Sequence, residues 1–235
     1  MRKACLLVAT HHRPDLLRLC LLHAKNFAVP EGWEFSIVVG ANREDGGVAV
    51  AQGLGCKVAE AKGTKVTDKF SAALRDAPEA DLYLMSGDDD LHCATRLQDS
   101  IALWEQGAKW VANSSSWYVE LPSKRVARWE GLRAGRLGTF YALDGALLRE
   151  KGWPSASRSA DQALIKNLGL RGTEPALLPA HTAWNSVCLV HGSSIDSNKP
   201  FPRRFQSVRY GAFLVTGYAW EDLPQHIRQV LDDQS

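Results

Sequence analysis

Residues 82–91, Leu-Tyr-Leu-Met-Ser-Gly-Asp-Asp-Asp-Leu, pass from an apolar segment directly into three adjacent carboxylates, Asp88, Asp89 and Asp90. A short apolar run of this kind is expected of a strand buried on both faces, the arrangement of a parallel sheet covered by helices. Three like charges at its end repel one another unless a cation holds them. Hard divalent ions such as Mg²⁺ and Mn²⁺ prefer carboxylate oxygens, take one or two of them, and complete their shells with water and phosphate oxygens. The motif therefore points to a metal and diphosphate site. A solvated acidic turn leading into the next helix is the alternative.

The same apolar pattern recurs at Ala4 to Thr10, at Phe35 to Ala41 and, more weakly, at Cys56 to Ala59. Helical spacing separates these strands. Pro14 suits a first helical position, with Leu16, Leu17, Cys20, Ala24 and Phe27 on one face. Residues 68–77 form a second helix with Thr67 as its expected cap, and residues 95–107 a third through Leu97, Ile101 and Trp104. This alternation predicts an α/β fold with a mostly parallel central sheet flanked by helices. Beyond residue 110 the pattern shortens: 110–113, 117–121 and 125–129 read as small strands with a turn at Pro122-Ser123, followed by a glycine-punctuated stretch over 131–138. Antiparallel additions are predicted there. A strand over 139–143, helices over 145–151 and 159–168 (the latter with a capping-box-like Ser159 and Gln162), a strand over 184–191 and a tail helix over 222–233 complete the reading.

With 235 residues, 45% hydrophobic and 23% charged, the chain can bury a full core. Twenty-eight Lys plus Arg against 26 Asp plus Glu leave a net charge of +2, so bulk electrostatics imply neither nucleic acid nor membrane. The five cysteines are widely spaced and form no CxxC pair, which argues against a disulfide framework or a zinc ribbon and favours a reducing, cytoplasmic location. No run approaches the roughly 20 apolar residues of a spanning helix, so no integral membrane contact is expected. The opening Met-Arg-Lys-Ala-Cys-Leu-Leu-Val-Ala reads as a first strand rather than a leader.

Three strand ends, Ala9-Thr10-His11-His12-Arg13-Pro14, Val38-Val39-Gly40-Ala41-Asn42 and Asp88-Asp89-Asp90, resemble in order and spacing the nucleotide-binding half of a family 2 glycosyltransferase with the GT-A fold. Residues 140–154 followed by Ser159-Ala160-Asp161 resemble that family's acceptor-side segment. The resemblance implies a Rossmann-like GT-A domain over 1–220, with a nucleotide-binding half at 1–113, an acceptor half at 114–220 and a tail helix at 221–235. It implies a metal-dependent, inverting enzyme that moves a hexosyl or pentosyl group from a nucleoside diphosphate sugar to a hydroxyl acceptor, with Mn²⁺ or Mg²⁺ as cofactor. Asp161 would be the general base. Thr10, His11, Arg13, Asn42, Asp45, Lys69, Asp88 and Asp89 would contact the donor, and Asp88, Asp89, Asp90 and His191 would hold the metal.

Each assignment has a plainer counterpart. An acid in a first helical turn stabilises the helix, a histidine after a strand is commonly a surface or core residue, and His11, His12, Arg13 and Lys69 can be solvated. The chain also departs from the family. Residues 40–45, Gly-Ala-Asn-Arg-Glu-Asp, replace an Asp-rich loop, Ala160-Asp161 stands for a Glu-Asp pair, and Gly87 occupies a place that is commonly acidic.

Two basic and aromatic clusters bear on the acceptor: Lys124, Arg125, Arg128, Arg133 and Arg136 with Trp117, Tyr118 and Trp129, then Lys199, Arg203, Arg204 and Arg209 with Phe201, Phe205 and Tyr210. Cations interleaved with aromatics serve phosphate contact and base stacking, so DNA carrying hydroxymethylated bases stands beside a polysaccharide or glycoconjugate as acceptor. An Arg-rich soluble surface explains the same residues without either. A sugar-phosphate nucleotidyltransferase is a further reading, against which the glycine-free Thr10–Pro14 loop counts. A nucleotide- or carbohydrate-binding module without turnover is another.

Overall fold

The computed structural model describes residues 1–113, 116–130, 141–156, 160–178, 186–190, 213–223 and 225–232. In chain order these form β1 (Arg2–Ala9), α1 (Pro14–Lys25), β2 (Trp33–Ala41), α2 (Gly47–Gly53), β3 (Lys57–Glu60), α3 (Val66–Asp76), β4 (Leu82–Gly87), β5 (Asp90–His92), α4 (Arg96–Glu105) and β6 (Trp110–Ala112). There follow β7 (Ser116–Glu120), β8 (Arg125–Glu130), β9 (Ala142–Asp144), α5 (Gly145–Lys151), α6 (Ala160–Asn167), β10 (Ala176–Leu177), β11 (Ser186–Val190), β12 (Phe213–Tyr218) and α7 (Gln225–Asp232).

The first sheet has the order β10-β6-β9-β4-β1-β2-β3. Its β4-β1-β2-β3 portion is parallel, as the apolar runs predict, and β9 is the antiparallel insertion between β4 and β6. Alternation along β1 explains its helical covers. Leu6 and Val8 face one side, packing with Leu17 and Leu21 of α1 and Leu97 and Ile101 of α4, while Cys5 and Leu7 face the other with Phe70 and Ala73 of α3. Every side chain from Ala4 to Ala9 is buried. Full burial of a leucine contributes about 1.5–3 kcal/mol, so this strand is a main anchor of the fold.

A second sheet, ordered β12-β8-β7-β11-β5, supplies the antiparallel additions. Leu91, Trp117, Val119, Val126, Val187 and Leu189 form its core, closed by Ile227 and Leu231 of α7 and by Leu19 of α1. The tail helix is therefore packed on the domain. Residues 87–90 join the two sheets, since β4 ends in the first and β5 begins the second at Asp90. The three carboxylates stand at that seam.

Several details differ from the sequence reading. Thr67 lies inside α3, not at its cap: its hydroxyl donates to Ala156 O at 3.0 Å, while the Asp68 carboxylate accepts the Lys65 N–H that begins the helix. Helix α2, flanked by glycines, and strands β5, β10 and β12 are additional elements. Residues 139–140, Ser159 and 184–185, expected in regular elements, lie outside the described residues. Among the described residues, no helix is long and apolar enough to cross a membrane.

Gly40 shows how closely the layers approach. A Cβ there would stand 2.0 Å from the Lys69 carbonyl oxygen, so only glycine lets β2 lie against the backbone of α3. That contact seats Lys69 beside the strand ends.

Candidate functional site

Parallel pairing of β1 with β4 sets Val8 opposite Ser86 and Ala9 opposite Gly87, which brings residues 10–13 alongside the triplet. Asp88 is enclosed there with no exposed side-chain surface. Its Oδ2 accepts from Thr10 Oγ1 at 2.7 Å, from the His11 N–H at 3.1 Å and from Arg13 Nε at 3.1 Å, and Arg13 also pairs with Oδ1. The other arm of Arg13 donates to Asp89 Oδ2 at 2.7 Å. One guanidinium thus bridges two of the three carboxylates, using the planar fork that lysine lacks.

Asp90 opens β5, where its Cα partner is Cys188 of β11, and its Oδ2 accepts the Gly87 N–H at 2.9 Å. Gly87 has a spatial reason. A Cβ at that position would come within 2.8 Å of both Asp89 Oδ1 and Asp90 Oδ2, so the missing side chain is the space these two carboxylates share. Burial and then the charge of Asp89 push Asp88 up to about 6 and Asp90 up to about 8. Negative charge at the seam exceeds what Arg13 neutralises. The oxygen-only donor set, with the Asp89 side chain 18% exposed, fits a hard divalent ion held by one or two carboxylates.

The neighbouring loops gather beyond the carboxyl ends of the parallel strands, where ligands of open α/β sheets usually bind. Lys69 is buried, its Nζ 2.9 Å from His11 Nδ1. Burial lowers the pKa of both groups, and the Lys69 charge further lowers that of His11. Asp45 accepts the His12 N–H and the Gly47 N–H, each at 2.8 Å, which fixes its carboxylate beside the histidines. Asn42 is used differently: its amide donates to Ala61 O and Gly63 O at 3.0 Å and braces the loop after β3.

On the other side, the segment leading to α6 is docked on α3. Trp153 stacks on Phe70 with centroids 4.3 Å apart, and the Thr67 hydroxyl bonds both the N–H and the carbonyl of Ala156. Asp161 follows in the first turn of α6, half-buried. Its charge is felt by the buried Tyr118, whose phenol is pushed well above 10 by burial and then by Cys188, Asp90, Asp89 and Asp161. Tyr118, read in sequence only as part of the acceptor-side aromatic cluster, and Cys188, not singled out at all, meet Asp90 because the β7–β11–β5 pairing places Cys188 beside both. Arg96, buried below β4, was also missed; it donates to Met85 O at 2.8 Å and Tyr141 O at 3.4 Å and ties β4 to the approach to β9. His191 lies outside the described residues.

The cations of the second sheet have local partners. Exposed Lys124 pairs with Asp232 at 2.6 Å and lies over the Trp220 ring, exposed Arg125 donates to Glu120 at 2.8 Å, and half-buried Arg128 lies over the core residue Trp117. Arg133, Arg136, Lys199, Arg203, Arg204 and Arg209 fall outside the described residues.

No protein-family model and no curated protein matches the sequence. Solved structures do. TarS residues 1–349 from S. aureus, in complex with UDP, superpose with a TM-score of 0.58 at 17% identity over 82% of this chain and 61% of that one. The mannosyltransferase PcManGT from Pyrobaculum calidifontis, in complex with GDP-Man and Mn²⁺, gives 0.54 at 17% identity over 80% and 56%. Glucosyl-3-phosphoglycerate synthase from Mycobacterium tuberculosis, with Mn²⁺, UDP and phosphoglyceric acid, gives 0.52 at 11% identity over 81% and 68%. The chain has the GT-A type of fold, and it spans 60% of the TarS 1–349 chain, less than two thirds.

Proposed function

We propose that this chain is a metal-dependent, inverting glycosyltransferase that moves a sugar from a nucleoside diphosphate sugar to a hydroxyl acceptor. The observation that carries the reading is the seam itself: the carboxylates of Asp88, Asp89 and Asp90, two of them buried, stand beside the Thr10–Arg13 loop that holds Asp88 and Asp89. Similarity of fold to TarS solved with UDP and to a mannosyltransferase solved with GDP-Man and Mn²⁺ supports it.

Asp89 and Asp90 would hold Mn²⁺ or Mg²⁺ in the space left by Gly87, and the ion would supply Lewis-acid neutralisation of charge on the leaving diphosphate. Asp88 orients Thr10, His11 and Arg13. Arg13 and Lys69 would meet phosphate oxygens, and Asp45 and His11 would line the nucleotide side. Asp161 takes the proton from the acceptor hydroxyl; it stands in the first turn of a helix, where the dipole favours a carboxylate. Direct displacement then needs no Ser or Cys nucleophile.

The acceptor is a hydroxyl of a saccharide or glycoconjugate, or of a hydroxymethylated base in DNA. Incubation with UDP- and GDP-sugars, Mn²⁺ and a panel of saccharides or hydroxymethylated DNA tests the proposal. Release of nucleoside diphosphate with a new glycoside is expected. Formation of pyrophosphate from a sugar phosphate and a nucleoside triphosphate would instead mark a nucleotidyltransferase.

A further inference from the structure

His11, His12 and Asp45 offer two imidazole nitrogens and one carboxylate oxygen that all lie within 4.8 Å of one another. The backbone sets this arrangement. Consecutive side chains of an extended chain point to opposite sides, but His12 has φ at 53°, in the left-handed region, and the two rings come together with centroids 4.9 Å apart. Hydrogen bonds from the His12 and Gly47 N–H groups hold the Asp45 carboxylate, and each of its oxygens keeps further acceptor capacity. Both histidines are exposed. Their rings can therefore close to the donor spacing of about 3.4 Å that ligands roughly 2.1 Å from zinc require in a tetrahedral shell.

We propose that His11, His12 and Asp45 form a site for a borderline divalent ion of the zinc class, separate from the oxygen-only triplet, and that this ion and the nucleotide exclude one another. Ligand chemistry distinguishes the two sites, because imidazole suits Zn²⁺ whereas carboxylate and phosphate oxygens suit Mg²⁺ and Mn²⁺. Three protein ligands leave a fourth position for water or another small ligand. Lys69, 2.9 Å from His11 Nδ1, competes with the ion for that ring. The exclusion rests on the donor reading above, in which His11 and Asp45 line the nucleotide side; the metal site does not.

Calorimetric titration of Zn²⁺ into the full chain and its variants tests both parts. One ion per chain is expected, bound at least about tenfold more weakly by His11→Gln and by His12→Gln and equally well by Asp89→Asn; even outer-shell changes at metal sites cost about 10–100-fold. Lys69→Met should tighten Zn²⁺ binding, a gain that misfolding does not produce. Equal Zn²⁺ affinity in the parent and both histidine variants overturns the site, as does a loss confined to Asp89→Asn. With free Zn²⁺ buffered, UDP in the presence of Mn²⁺ should bind at least about tenfold more weakly to the zinc-loaded chain; unchanged UDP affinity overturns the exclusion. A parent that binds Zn²⁺ at the histidines but no nucleoside diphosphate supports the metal site and contradicts the donor reading.

Discussion

The Thr10–Arg13 loop and the outer surface of the second sheet both set cations beside carboxylates, under opposite solvation. The Arg13 side chain is 19% exposed and spans Asp88, which has no exposure, and Asp89, whereas Lys124 and Asp232 are each 48% exposed. Removing charge from water is costly unless it is paired, and exposed pairs contribute little because water and salt screen them. Charges held out of water at such cost mark the Thr10–Arg13 loop as preorganised. Charges on the second sheet mark a solvated rim, where a single loss is easily absorbed.

The largest expected effect is at Asp161. Asp161→Asn keeps the shape of the side chain and removes its basic oxygen, so sugar transfer should slow by about 10²- to 10⁴-fold while donor binding changes little. Steady-state rates checked against donor affinity measure this. Transfer within a few-fold of the parent would leave Asp161 as a helix-start acid only.

Arg13→Ala comes next, since it strands Asp88 in the interior. Breaking a buried ion pair costs about 3–5 kcal/mol, and denaturant unfolding should report a loss of that order. Gly87→Ala forces a methyl group against Asp89 and Asp90; overpacking of about 1–3 kcal/mol is expected, with weaker Mn²⁺ binding as the sharper readout. Unaltered Mn²⁺ affinity in that variant would show that the shared space beside Gly87 is not where the ion sits.

Acid–base linkage gives a smaller effect with a definite sign. Folding raises Asp88 and Asp90 from 3.8 to about 6 and about 8, so between 3.8 and about 8 the folded chain binds more protons than the unfolded one. Their contribution is fully present below 3.8 and is lost as pH rises through the folded values. Without metal, the melting temperature of the parent relative to Asp90→Asn should therefore fall from pH 5 to pH 8, and added Mn²⁺ should restore more of it at pH 8. A relative rise over that interval contradicts the crowding of charge at the seam. Smallest of all is Lys124→Ala, for which no measurable change in unfolding midpoint or donor turnover is expected; a loss comparable to that of Arg13→Ala would erase the contrast between the two regions.

The parallel part of the fold was legible because both faces of β1, β2 and β4 are buried, which leaves uninterrupted apolar runs in the sequence. Helix α5 over Gly145–Lys151 was readable to the residue, since Asp144 caps it by accepting the Leu147 N–H. Strand β5 was not legible, because three residues become a strand only by pairing with Ser186–Cys188, far along the chain. The same distance hid Cys188 and the placement of Tyr118 beside it. Gly87 stood out in sequence as a departure from the family, but its role depends on where two carboxylates turn in space. Thr67 illustrates the opposite error: its type and position suit a cap, yet its hydroxyl serves Ala156.

The central claim, a metal-dependent donor site at Gly87–Asp90, is tested most directly by calorimetric titration of UDP and GDP into the parent and into Asp89→Asn and Asp90→Asn, with and without Mn²⁺. At least one nucleotide should bind the parent, Mn²⁺ should tighten that binding by at least about tenfold, roughly 1.4 kcal/mol, and each substitution should remove the gain. Equal affinity with and without Mn²⁺, or an unchanged Mn²⁺ effect in both variants, would contradict the assignment.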